Sequence, residues 1–262
     1  MYIISTQSPH GGTFFGDSEV YSYDVVDKAL IQIEFRSFIP FEDSHEEGIS
    51  DTWLLQIGKN YSKYYTLIHH KLDSCQFCPF EGLSTINPVF VYECFYTNIA
   101  TRTVTYTNRL VQDDFLYEDQ LPQIEWVIDN DSTKVICGMT CHKASCTFRG
   151  RKYESWFTES IPSQCGPWKL GGLPGVILMA KDLESNTLFE ATGIRGSIAD
   201  ILIANYPYIK VSREKYRELL DQRLEKPSSF SVAHGNRYPQ MKITAKGPEK
   251  PQRKICILEN DL

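Results

Sequence analysis

No run of about 18 apolar residues occurs in the 262-residue chain, so no membrane-spanning helix is encoded. Glycine-rich phosphate cradles of the P-loop or dinucleotide type are missing, which argues against a nucleotide cofactor. His-x-His, His-Glu-x-x-His and Gly-x-Ser-x-Gly patterns are missing too, which removes the common local signatures of zinc sites and serine hydrolases. No repeat of fixed period and no linker divides the chain, so one domain over 1–262 is expected, with its core at about 19–195. A surplus of positive charge is also lacking. The net charge of −6 and pI near 5.6 are the reverse of what counterion displacement asks of a nucleic-acid binder. The charge is uneven, since residues 210–254 hold 12 basic and 5 acidic side chains while 1–208 hold 15 and 26. The basic stretch reads as a solvated helix and tail, or as a face for an acidic partner. Met1-Tyr2-Ile3-Ile4-Ser5-Thr6 has neither the charged region nor the apolar region of a secretory leader. By itself this reads as cytoplasmic, and equally as a mature form or a gene model without its leader.

What is present is a hydrophobic content of 42%, ample for a core, arranged mostly with period two. Ile31, Ile33 and Phe35 point one way while Gln32, Glu34 and Arg36 point the other. Short strands are predicted at 53–57, 63–68, 89–97 and 101–108, the last with Thr101, Thr103, Thr105 and Thr107 opposite Val104 and Tyr106. Further strands at 124–128, 134–137, 141–149, 151–158, 176–180 and 187–195 are separated by turn signals such as Gly150 and Glu184-Ser185-Asn186. Ser212 is a predicted N-cap, and Tyr216, Leu219, Leu220 and Leu224 then recur at helical spacing, giving an amphipathic helix over 212–226. Residues 227–262 read as an extended tail ending in a short apolar strand at 255–258. The expected fold is mainly β: a curved, mostly antiparallel sheet of successive hairpins, an open half-barrel or bowl, with a C-terminal amphipathic helix.

The densest block runs from Gly138-Met139-Thr140-Cys141-His142 through Phe148-Arg149-Gly150-Arg151, Trp156-Phe157-Thr158 and Gly166-Pro167-Trp168-Lys169 to Gly172-Leu173-Pro174-Gly175-Val176-Ile177-Leu178. In order and spacing it resembles the signature of the GLPGLI family of exported Bacteroidetes proteins, and the likeness extends over roughly residues 50–195. Val176 stands where Leu is usual, Met139 where an aromatic is usual, and no leader is visible. The resemblance implies a periplasmic, outer-membrane-associated or secreted protein, with no biochemical activity attached. A more distant similarity, to the bowl-shaped N-terminal β domain of some secreted bacterial peptide:N-glycosidases, implies a curved sheet with a concave face. Independently of any family, Leu173-Pro174-Gly175-Val176 predicts a type II turn with positive φ at Gly175.

Several groups could carry chemistry. Cys75-Gln76-Phe77-Cys78 has redox or zinc spacing but no second pair and no βαβ context, so free thiols or a local disulfide is the ordinary reading. The eight cysteines permit disulfides without requiring them. On a strand, His142 and Cys146 share a face and Cys141 lies opposite. The acid pairs Asp113-Asp114, Glu118-Asp119 and Asp129-Asp131 read as solvated turns rather than glycosidase or calcium sites. No metal or cofactor is expected. The most functional-looking set is Arg149, Arg151, Trp156, Trp168 and Lys169. Strand parity puts the two arginines on one face, and Trp168 sits on a glycine-bracketed loop, either plugging the core or standing at a mouth. The leading expectation is an exported, non-enzymatic module that presents a curved sheet to an envelope or extracellular protein, a peptide or an apolar ligand. The competing class is a secreted or periplasmic hydrolase using a carboxylate or Cys-His pair in the concavity.

Overall fold

The structure, a computed structural model, describes residues 22–69, 92–234, 253, 254, 256 and 258. The early strands are β1 (Tyr23–Lys28), β2 (Ile31–Phe41), β3 (Ser44–Ile57), β4 (Tyr61–Thr66), β5 (Cys94–Asn98), β6 (Thr103–Leu110) and β7 (Asp113–Gln120). They are followed by β8 (Val127–Ile136), β9 (Met139–Phe148), β10 (Arg151–Thr158), β11 (Val176–Asp182), β12 (Leu188–Gly196), β13 (Asp200–Ala204) and β14 (Ile209–Lys210). Two helices close the chain, α1 (Arg213–Glu225) and α2 (Pro227–His234).

One 12-stranded sheet has the order β14-β7-β6-β5-β4-β3-β2-β12-β11-β10-β9-β8. Every neighbour in it is antiparallel except β14, which runs parallel to β7. A twisted open sheet of more than about 10 strands rarely persists without curling, splitting or flattening, and this one curls over its own apolar face, since Arg149 at the end of β9 meets Asp119 of β7. Alternation supplies that face: Phe35 opposes Trp53 and Ile33 opposes Leu55, all buried. The predicted hairpin at Gly150 is present, with Phe148 paired to Arg151 and His142 to Phe157. The separate strands predicted at 124–128 and 134–137 are one strand, β8, interrupted by a bulge between Asp129 and Thr133. Asp129 holds that bulge by accepting from the Asp131 amide and the Ser132 hydroxyl, at 3.0 and 2.7 Å.

Ser212 caps α1, its hydroxyl accepting from the Lys215 amide at 3.1 Å. The helix turns Tyr216, Leu219, Arg223 and Leu224 inward. The Tyr216 hydroxyl meets Asn108 Nδ2 at 2.8 Å and the Tyr106 hydroxyl at 3.1 Å, which seats α1 against β6 on the concave side. The expected extended tail begins instead as helix α2, anchored by buried Phe230, because Phe230 needs the core and a helix brings it there within one turn of Pro227. The predicted strand at 255–258 is not formed by its described members, Cys256 and Leu258. The chain nonetheless runs beside the end of β2, the Cys256 amide donating to the Pro40 carbonyl at 2.8 Å. On the convex side, β1 and β13 form a two-stranded sheet covering Leu54, Tyr65, Cys94 and Tyr96. Among the described residues no helix is long and apolar enough to cross a membrane.

Candidate functional site

The signature block folds into the concavity. Residues 159–175 connect β10 to β11 and are stitched down by Gly172 N to Gln164 O at 2.9 Å and Ile177 N to Cys165 O at 3.0 Å. Trp168 is only 7% exposed, with its ring edge-on to Phe148 at 5.8 Å and tilted over Tyr153 at 6.2 Å. It plugs the core. Gly175 does not adopt the positive φ expected of a type II turn; a Cβ there would lie 2.0 Å from the Thr158 carbonyl oxygen. Close backbone approach, not left-handed geometry, therefore demands glycine. Within the 159–175 connection the left-handed glycine is Gly172, at φ +91°.

Lys169 and Arg149 both end on Asp119 of β7. Lys169 Nζ lies 2.8 Å from one carboxylate oxygen and Arg149 Nη2 2.7 Å from the other. Burial raises the Asp119 carboxyl, but the two cations outweigh it and hold it below its ordinary value. This triad joins β7, near one edge of the sheet, to the β9–β10 turn near the other. It works as a clip across the mouth of the curl. Arg149 occupies that turn with φ +48°, so it reaches the interior by backbone reversal rather than by strand parity. Arg151, on β10, donates from Nε to the fully buried Asp182 at 2.6 Å, and Ser185 holds the same carboxylate at 2.8 Å. Both arginines are internal ion-pair partners. Trp156 faces the other way, half-buried on the convex side across from Met179, with Nε1 donating to Glu154 at 3.3 Å. Arg149, Trp168 and Lys169 are thus brought together, Arg151 lies beside the neighbouring Asp182, and Trp156 stands apart.

The other expected groups scatter. His142 packs on Phe157 at 6.2 Å, while Cys146 opposes Tyr153 and burial pushes its thiol up to about 12, far from a reactive thiolate. Asp114 and Asp119 lie on β7 as buried ion-pair members rather than in solvated turns, because each has a cation opposite it to offset desolvation. Cys75-Gln76-Phe77-Cys78 lies outside the described residues. Among the described residues no three of His, Cys, Asp and Glu gather to hold a metal ion. Glu93 is a half-buried acid that sequence alone did not single out. Burial lifts its carboxyl to about 7, opposed in part by the Tyr106 hydroxyl that donates to it at 2.9 Å.

Two clefts stand out among the described residues. One, a shallow cleft of about 40 Å³, lies on the concave side between the rims of β4 to β7 and the 164–172 loop, and no acidic side chain lines it. The other, a narrow pocket of about 10 Å³, lies on the convex side and is walled by His69, Tyr92, Tyr96, Tyr206 and Tyr208. Its centre is Arg109, whose guanidinium sits 4.7 Å from the Tyr92 ring and 5.1 Å from the Tyr206 ring. Arg109 faces Asp114 directly across the β6–β7 hairpin, and the two meet in a fork at 2.7 and 3.2 Å. That pairing keeps the guanidinium plane fixed between the rings. Burial pushes the Tyr208 hydroxyl up, so it stays protonated and able to donate.

No family model and no curated protein matches the chain. Two crystal structures of PNGF-II, in different space groups, are similar in fold, with TM-scores of 0.51 and 0.52 at 15% identity. The match covers 72% of this chain and 32% of PNGF-II, so the chain spans about a third of that protein's length. At this identity the likeness shows the fold alone, a large open antiparallel sheet. None of the tyrosines around Arg109 was singled out from sequence. The Tyr206-Pro207-Tyr208 doublet after β13 was the available signal, since it sets two rings on a proline-stiffened connector. The Arg109–Asp114 pairing was also implicit in a hairpin turning at Val111-Gln112.

Proposed function

We propose that this protein is an exported, non-enzymatic binding module that holds a segment of an envelope or extracellular protein, or a peptide, in the tyrosine-walled pocket around Arg109. The observation that carries the reading is the clamping of Arg109 between Tyr92 and Tyr206 in a pocket open to solvent. Tyrosine and arginine are the side chains interfaces use as anchors, because they join large contact area to directional hydrogen bonds with few rotamers to freeze. Several of the acids and thiols that a hydrolase would need are engaged in the fold: Asp114 by Arg109, Asp119 by Lys169, Asp182 by Arg151, with the Cys146 thiol pushed up by burial. Export, to the periplasm, outer membrane or medium, is supported by the GLPGLI resemblance of residues 138–178.

The test is to pan a displayed peptide library against the immobilised protein and titrate the enriched peptides into Tyr92→Ala and Tyr206→Ala. Each variant should weaken binding by about thirtyfold, equivalent to about 2 kcal/mol, while its melting curve stays close to wild type. Enriched peptides that bind both variants as well as wild type, or no enrichment at all, would refute the reading.

A further inference from the structure

The concave-side cleft carries a cation, Arg102, that no carboxylate among the described residues neutralises. Arg102 sits in the β5–β6 turn at φ +57°, a conformation unusual for a long side chain. It is fixed there by its amide, which donates to the Asn98 carbonyl at 2.8 Å, and by its carbonyl, which accepts from the Leu121 amide at 3.1 Å. The Asn98 side chain supports the same turn by accepting from the Ala100 and Thr101 amides, both at 3.1 Å. The turn thus holds the Arg102 side chain against the cleft. Its guanidinium is partly buried and donates from Nη2 to the Pro122 carbonyl at 3.1 Å. No carboxylate among the described residues pairs with it. Nη1 points at Gly172, where a Cβ would stand 2.8 Å away, so the left-handed glycine also clears the space in front of the guanidinium.

The surroundings fit an anion. The cleft is lined by two cations and no acid, and one of them, Lys169, is already paired with Asp119. Ser62, Thr97 and Gln164 supply polar groups along the wall, and Ile99, Leu121 and Leu170 supply apolar sides. Burial lowers the Arg102 pKa, as expected for a cation that has lost water without gaining a partner. A bound carboxylate would restore what burial removed, through the parallel two-bond contact a guanidinium makes with a planar acid. We propose that this cleft binds a carboxylate-bearing small molecule or a peptide C-terminus, with Arg102 as the charge partner. The site lies on the opposite face of the sheet from the Arg109 pocket and does not depend on it.

The experiment follows the Arg102 side-chain Nε–H and the Trp126 indole N–H by NMR, since the Trp126 ring nitrogen lies beside the same glycine and donates to the Gly171 carbonyl at 3.0 Å. Sodium acetate, benzoate, a free Gly-Leu dipeptide, its C-terminal amide and inorganic phosphate are titrated in turn. Carboxylates should shift both signals saturably, and the amide should not. A dipeptide tighter than acetate and benzoate assigns a peptide C-terminus; the reverse order assigns a free organic acid. Arg102→Asn, which tolerates the left-handed backbone, should weaken binding about tenfold or more, and Arg102→Lys, which keeps charge without the fork, by less. Thr97→Val is the second variant, outside the strained turn, and should also weaken binding. Phosphate binding ahead of every carboxylate, shifts unaffected by Arg102→Asn in a folded variant, or no saturable shift would each overturn the proposal.

Discussion

Replacing Asp119 by Asn removes one charge and leaves two buried cations facing a neutral amide. Side-chain exposure is 8% for Asp119, 5% for Arg149 and 1% for Lys169, so water cannot take the carboxylate's place. Each contact is short, 2.7 and 2.8 Å, and each is worth several kcal/mol of gross attraction even at an effective dielectric near 20. Desolvation already offsets much of that in the intact triad, and removing the shared anion of a buried ion pair typically costs about 3–5 kcal/mol. Lys169→Met should cost less, about 1–3 kcal/mol, because Asp119 keeps Arg149. The double variant should be less destabilised than the sum of the two. The carboxyl is held below its ordinary value in the fold, so its contribution is present at neutral pH and disappears as pH falls through the lowered value. Asp119→Asn should flatten that acid limb. Urea unfolding read by tryptophan fluorescence measures all of these. A loss under about 1 kcal/mol for Asp119→Asn would show that the triad does not hold the two ends of the sheet together.

Trp168→Ala should lose about 3–5 kcal/mol, the cost of emptying a buried aromatic site, whereas Trp156→Ala on the convex face should lose about 1 kcal/mol or less; melts of both variants check this. Gly175→Ala should destabilise by about 1–3 kcal/mol or more, since its methyl would overlap the Thr158 carbonyl, and an unchanged urea midpoint would contradict it. Glu93 is raised in the fold, so the stability it adds is complete below its unfolded value and disappears as pH climbs through about 7. Glu93→Gln should therefore be the more stable form at pH 8, by at most about 3 kcal/mol, with the difference vanishing near pH 4.

The strands were legible because period-two alternation is a local property. Ile33 and Phe35 declare their face without reference to any partner, and β10 falls at 151–158 as expected. The helix was legible from Ser212 and the Tyr216, Leu219, Leu224 spacing. What alternation cannot convey is where a curled sheet brings its distant strands. Arg149 and Asp119 are 30 residues apart in sequence and meet only because β7 and β9 approach across the curl. For the same reason Lys169 read as a surface anchor when it is an internal ion-pair member. Gly175 was rightly marked as needing glycine, but the cause, contact with the β10 end, is tertiary. The pocket around Arg109 gathers residues from four separate stretches, so no linear motif carries it.

The most direct test of a peptide site at the convex tyrosines is hydrogen exchange of backbone amides with a selected, C-terminally amidated peptide bound. New protection is expected in residues 92–96 and 204–210 and none in 164–172. Protection concentrated in 164–172, with the tyrosine segments unchanged, would contradict it.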